Sequence, residues 1–188
     1  MGFRDYDTQK AYLNITSSSN AILTSTTIAN GSFTPTGQPD FPRNITIAVT
    51  TSTISAGTVT VNGVGFNGKL IAEVLDLSAA TTLTGTLNFI SVTNIVVAGL
   101  TGADPADTFI VGTGTDIQLT VGNSILNTAT VNSGTGAFTI IDGIISTDPA
   151  VAIISGSTNK TYTYNCVMKL GIHITMAGTH PLTVTYTA

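Results

Sequence analysis

The sequence predicts an all-β protein: an antiparallel β-sandwich of Ig-like or jelly-roll-like type, preceded by an extended N-terminal arm. Three observations carry this prediction. Threonine, whose branched side chain suits a pleated, half-buried surface, makes up about a fifth of the chain. Short runs alternate hydroxyl with aliphatic side chains at a period of two, as a strand with one buried face requires. Glycine, asparagine and aspartate recur between those runs as turn signals, and helical periodicity is scarce.

Residues 1–41 read as an arm and a turn, because Thr34-Pro35-Thr36-Gly37-Gln38-Pro39-Asp40-Phe41-Pro42 concentrates proline just ahead of the first regular strand. Residues 42–188 read as the sandwich. Its most regular unit covers 42–121. A β-patterned extension over 122–188 either completes the same sandwich or forms a second small subdomain. Within these limits Thr46–Val49, Thr58–Val61, Ile172–Thr175 and Leu182–Tyr186 alternate as strands do. Ile140–Ile145 and Val151–Ile154 are aliphatic runs of strand length. The turn signals are Asn30-Gly31, Asn67-Gly68, Gly112-Thr113-Gly114, Gly134-Thr135-Gly136 and Asp142-Gly143.

Leu70–Leu77 fits two patterns. Leu70, Ile71, Val74 and Leu75 would share a helix face, whereas Ile71, Glu73, Leu75 and Leu77 alternate as in a strand. The Asn67-Gly68 pair just before it is a type I′ hairpin signal, which favours the strand.

Composition restricts function. With 188 residues and 42% hydrophobic content the chain can bury a core, and its mean hydropathy of +0.38 argues against general disorder. The net charge is −4, and the six basic residues (Arg4, Lys10, Arg43, Lys69, Lys160, Lys169) are scattered. Nucleic acid is therefore not expected as a partner, since phosphate contacts need clustered cations. No apolar run approaches the length of a membrane span, and no basic-then-apolar leader opens the chain. Folding in a cytoplasm is the expectation. The single cysteine, Cys166, permits no internal disulfide and reads as a small buried hydrophobe. Between Leu70 and Asn159 there is no lysine or arginine, and charged residues are only 9% of the chain. Free soluble domains normally carry mixed surface charge, so a surface this bare points to contact with other protein.

Several motifs suggest chemistry and then fail a requirement of it. Gly63, Gly65 and Gly68 have dinucleotide-loop spacing, and Gly63, Gly68 and Lys69 match most of a phosphate-binding P-loop. Leu70 stands where the P-loop needs Ser or Thr, and no acid occupies the Thr86-Leu87-Asn88-Phe89 neighbourhood where a ribose ligand belongs. Hairpin glycines are the expectation. His173, placed between Ile172 and Ile174, should lie on the strand face opposite them. His180 lies in a turn before Pro181. With Cys166 these two make too few ligands for zinc. Asp104, Asp107 and Asp116 lack calcium-loop spacing. No catalytic, cofactor-binding or metal-binding residue is expected, and no cofactor.

The order of segments resembles a family. Pro42-Arg43-Asn44-Ile45-Thr46-Ile47 is followed by Gly57-Thr58-Val59-Thr60-Val61-Asn62-Gly63 and Asn67-Gly68-Lys69-Leu70-Ile71-Ala72-Glu73. Then come Phe89-Ile90-Ser91-Val92-Thr93-Asn94-Ile95 and Val111-Gly112-Thr113-Gly114-Thr115-Asp116-Ile117. Over 42–121 this is similar to a diffuse group of tailed-bacteriophage virion proteins, and Thr179–Tyr186 resembles their closing strand. Phe66 and Gln118-Leu119-Thr120 depart from the pattern. The resemblance implies a non-enzymatic virion protein assembled in the bacterial cytoplasm. The leading expectation is a capsid decoration (cement) protein bound to the major capsid protein or other virion proteins. A homo-oligomer, with a trimer in view, would suit local lattice symmetry. Phe3, Tyr6 and Tyr12 in the arm are the expected interface anchors. The alternatives are a tail, neck or fibre-base component, or a cell-surface adhesion or carbohydrate-binding module.

Overall fold

A computed structural model describes residues 8–50, 53–78, 81–132, 136–155, 160–177 and 180–188. The described chain is all-β and antiparallel. Its strands in order are β1 (Thr8–Ile15), β2 (Ser18–Thr27), β3 (Gly31–Phe33), β4 (Arg43–Val49), β5 (Ala56–Gly65), β6 (Leu70–Asp76) and β7 (Thr82–Thr101). They continue with β8 (Thr108–Gln118), β9 (Ser124–Val131), β10 (Ala137–Asp142), β11 (Ala150–Ser155), β12 (Lys160–Met168), β13 (Ile172–Ala177) and β14 (His180–Thr187). The alternating runs expected as strands lie in β4, β5, β13 and β14. Leu70–Asp76 is a strand, as the preceding hairpin signal favoured.

The chain divides into two compact units, one of residues 1–16 with 115–188 and one of residues 17–114. This division coincides neither with the expected end of the arm at 41 nor with the end of the most regular unit at 121. Residues 8–15, expected within an arm, form β1, which pairs along its whole length with β14, from Thr8 opposite Thr187 to Ile15 opposite His180. Pairing between the two ends of a chain leaves no local trace in sequence, so the insertion of 17–114 between β1 and its unit could not be read there.

In the first unit β1, β14, β9 and β12 pair in that order, and β11, β10, β13 and the end of β8 form a second set. Both sets contribute to one core. Leu13, Leu126, Val131, Leu182 and Val184 come from the first; Ile117, Phe138, Ile140, Ile154, Ile172 and Ile174 come from the second. Period-two patterning explains the assignment: along β14, Leu182 and Val184 are fully buried.

In the second unit β7 is the shared strand. Its first half pairs with β4, from Ala48 opposite Thr82 to Arg43 opposite Phe89. Its second half pairs with β5, and β3 adds Phe33 opposite Ile95. β6 folds back on β5, and β2 pairs with β8. The core joins Ile45, Ile47, Val59, Val61, Phe89, Ile95, Phe109 and Val111. Phe33 and Phe109 meet edge to face, with centroids 4.9 Å apart and planes at 78°.

Where β7 changes partner, its register against β4 slips between Asn44 and Thr46. The irregularity turns backbone N–H groups away from the ladder. Glu73, buried on β6, accepts them: Oε1 takes the N–H of Thr86 at 2.6 Å, that of Leu87 at 3.3 Å and the Thr86 hydroxyl at 3.1 Å. Gly85 makes room, since a Cβ there would lie 2.2 Å from Glu73 Oε2. A Gly85→Val variant should therefore push the carboxylate out and lower unfolding stability by about 1–3 kcal/mol, measured by urea melts. A melt unchanged from wild type would count against this role of Glu73.

Candidate functional site

The motifs with apparent chemistry serve the fold. The Gly65–Lys69 segment closes the β5–β6 hairpin: Gly68 N–H donates to Gly65 O at 2.9 Å and Gly65 N–H to Lys69 O at 2.9 Å. Gly68 alone takes the left-handed conformation (φ 73°); Asn67 does not. The connection is thus a three-residue loop with a glycine bulge rather than the expected type I′ turn. Gly63 and Gly65 are in strand β5. A Cβ at Gly63 would sit 2.1 Å from Ser91 O, so this glycine permits close strand approach and does not cradle a phosphate. Gly112 and Gly114, expected in a turn, lie inside β8 for the same reason. Cβ atoms there would meet Ser18 O at 2.0 Å and Asn44 Oδ1 at 2.4 Å.

The carboxylates are similarly engaged. Asp107 is buried; its Oδ2 accepts the Asp104 N–H at 2.7 Å, and Asp104 Oδ1 accepts the Ala106 N–H at 3.1 Å. Asp116 is half-buried on β8, and burial pushes its carboxyl up to about 6. Among the described residues no group of three His, Cys, Asp or Glu side chains is placed to hold a metal ion.

His173 is fully buried, and so are Ile172 and Ile174 on either side. The expected single buried face is replaced by a strand covered on both. The His173 ring is 3.1 Å from Gln118 Oε1 through Nδ1. Because an amide oxygen only accepts, Nδ1 carries the proton. Gln118 Nε2 in turn donates to the carbonyls of Thr120, Gly143 and Ile172. Burial lowers the imidazole pKa to about 4, against a weaker opposing pull from Asp148. This is a neutral structural histidine. Cys166 is partly buried on β12, its thiol 3.9 Å from Met168 Sδ, and burial raises its pKa, which disfavours the thiolate a nucleophile needs.

What remains is surface. Of the expected anchors, Phe3 and Tyr6 lie outside the described residues. Tyr12 is 67% exposed on β1, with the Lys10 ammonium 4.7 Å from its ring centroid. It stands at the end of a transverse row: Tyr12 opposite Thr183, Thr183 opposite Thr130, and Thr130 opposite Thr161. The next row is Lys10, Thr185, Thr128 and Thr163. Hydroxyls bridge strands within these rows, Thr128 to Thr185 at 2.6 Å and Thr130 to Thr161 at 2.9 Å. A third row (Thr8, Thr187, Ile125, Val167) leads to a hollow of about 430 Å³ lined partly by Ile125, Val167, Lys169 and Thr187. The face carries hydroxyls and few charges; Thr161 and Thr163 are exposed, Thr128, Thr130 and Thr185 half-buried, and Thr183 and Thr187 buried. Its sequence signal was the recurrence of Thr-x-Thr at 128–130, 161–163 and 183–185, which reads as three separate strands until their register is known.

The second unit has its own bare surface. The outward face of β6 carries Leu70 (83% exposed), Ala72 and Val74 (62% exposed), and exposed Phe66 sits at the hairpin tip. Comparison with protein-family models, curated proteins and solved structures found no match.

Proposed function

We propose that this chain is a non-enzymatic structural protein of a tailed-phage virion, most specifically a capsid decoration protein that binds the head through protein contacts. The observation that carries the reading is the strand order of the first unit. Numbering its eight strands along the chain from β1 and then β8 to β14, the two sets run 1-8-3-6 and 5-4-7-2. We infer a jelly-roll sandwich from this order, an architecture used by viral capsid domains among others. That link is a fold-level analogy. Site chemistry supports it: the exposed strand faces are threonine and aliphatic, and the buried Arg43, Gln118 and His173 side chains are engaged in internal hydrogen bonds.

On this reading Tyr12 is the anchor among the described residues, since an exposed aromatic beside hydroxyl rows gives a contact that is apolar in area and polar in detail. The partners are the major capsid protein or other virion proteins, and further copies of this chain. Purified protein mixed with undecorated heads should bind saturably and raise the temperature at which the heads open. A Tyr12→Ala variant should bind about tenfold more weakly or worse. No saturable binding, with heads no more heat-stable than before, refutes the decoration role. Binding confined to a tail or a single vertex would move the protein to the neck or tail.

A further inference from the structure

We propose that two turns at one end of the first unit form a cap over His173, and that this cap opens locally when the imidazole takes up a proton. Register places the ring outside the core. Ile140 on β10, Ile174 on β13 and Ile117 on β8 belong to the core. Ile141, His173 and Gln118 lie opposite one another across the same three strands, one residue out of phase, and so face away from it. One row along that outward face Thr139 and Thr175 are half-buried, and Ile153 on β11 is 71% exposed. Ile141, His173 and Gln118 are nevertheless buried. What meets them is the turn of residues 143–149, between β10 and β11, and the turn of residues 169–171, between β12 and β13. Gln118 Nε2, whose amide oxygen holds His173, donates to the Gly143 carbonyl at 3.0 Å, and a Cβ at Gly171 would lie 3.1 Å from that nitrogen.

The two turns are tied to each other by few bonds. The Gly143 N–H donates to the Gly171 carbonyl at 3.0 Å, and the Leu170 N–H to Asp142 Oδ1 at 2.8 Å. Asp148 Oδ2 closes the longer turn by accepting the Ile144 and Ile145 N–H groups at 2.9 and 3.2 Å. Ile144 and Leu170 are exposed, so parting the turns breaks hydrogen bonds at the surface and leaves the core intact. Segments of this kind open at a free energy below that of global unfolding.

Acid favours the open state. Burial holds the closed ring near pKa 4, against the weaker pull of Asp148, and water reaching it restores the ordinary 6.5. The open cap therefore binds a proton that the closed one refuses, and opening rises about tenfold for each pH unit below about 6.5 until the closed ring itself titrates. The other charged groups on the surrounding segments are Asp116 on β8 and Asp142 and Lys169 beside the cap. Asp116 lies one row beyond the cap, two residues before Gln118. Burial pushes the Asp142 carboxyl up, but the N–H groups of Leu170, Lys169 and Gly171 outweigh it and hold the group below its ordinary 3.8, so its linkage falls beneath the His173 window.

Residue-resolved amide hydrogen exchange on the purified full chain, corrected for intrinsic rates, tests the cap between about pH 6.5 and 4.5 and in low urea. The Ile144, Ile145 and Leu170 amides should exchange through an opening that low urea does not promote, and that opening should grow about tenfold per pH unit as pH falls. Amides of β14 should follow global unfolding instead. His173→Gln should remove the slope. Gly143→Ala, whose Cβ would lie 2.3 Å from Asp148 Cβ, should raise opening several-fold at every pH and keep the slope. Cap amides that exchange only with global unfolding overturn the proposal, as does wild-type opening indifferent to pH. So does a slope that survives His173→Gln, or opening unchanged by Gly143→Ala. The virion reading is decided separately, by binding to heads.

Discussion

An Asp116→Asn variant should lose about 3 kcal/mol of unfolding stability between pH 6.5 and pH 4, and the wild-type protein visibly less over the same interval. The loss comes from His173. Its folded pKa is lowered to about 4 from the ordinary 6.5, so between those values the unfolded chain binds a proton that the folded chain refuses. Stability from the neutral buried imidazole is fully present above about pH 6.5 and is withdrawn as pH falls toward 4. Asp116 acts with the opposite sign. Burial raises its carboxyl from 3.8 to about 6, so the folded state holds the proton longer and acid favours folding through that window. The two slopes oppose one another in the native protein, and removing the carboxyl exposes the histidine slope. Urea melts at half-unit pH steps test this on wild type, Asp116→Asn and His173→Gln. The His173→Gln variant should lose the acid slope attributed to His173. If it keeps the wild-type profile, His173 is not the titrating group.

Those same residues indicate what sequence can and cannot carry. Period-two alternation revealed β4, β5, β13 and β14, because each half-buried strand writes its own pattern locally. It misled at His173, since a strand covered on both faces shows no polar phase and a buried histidine looks like an exposed one. The glycines at 112 and 114 have the composition of a turn, but their lack of Cβ serves packing against Ser18 and Asn44, which are more than 60 residues away in sequence. Register was equally hidden. The three Thr-x-Thr runs are ordinary strand segments one at a time. They become one row across the sheet only when Thr183 lines up with Thr130 and Thr161. Tyr12 was legible as an exposed aromatic, though its setting is a paired strand beside that surface. Leu70 and Val74 were legible as strand residues, but both hairpin and helix patterns place aliphatics there, and only the sheet order reveals that β6 is an edge.

Arg43→Ala should destabilise the protein by about 3–5 kcal/mol, whereas Asp40→Asn should cost no more than about 1 kcal/mol. The contrast follows from where each partner sits. The Arg43 side chain is 2% exposed and that of Asp40 is 61% exposed, so their 2.8 Å ion pair is solvated at the carboxylate end and screened by salt. The larger contribution is internal. Arg43 Nε donates to the Gly114 carbonyl at 2.9 Å, and Nη2 donates to the same oxygen. Gly114 ends the part of β8 that belongs to this unit, and its missing Cβ is what lets Asn44 lie against it. Arg43 thus fixes β4 to β8 at a point where both strands are buried. Alanine there removes the largest fully buried side chain among the described residues, opens a cavity and leaves a buried carbonyl without these donors. Lysine would keep the charge but not the planar fork that reaches one oxygen through two N–H groups, so Arg43→Lys should fall between the two variants. Denaturant melts at low and high salt separate the terms. Asp40→Asn should lose its small effect at high salt, and Arg43→Ala should not. An Arg43→Ala penalty below about 1 kcal/mol, or one abolished by salt, would show that the buried fork does not hold β4 to β8.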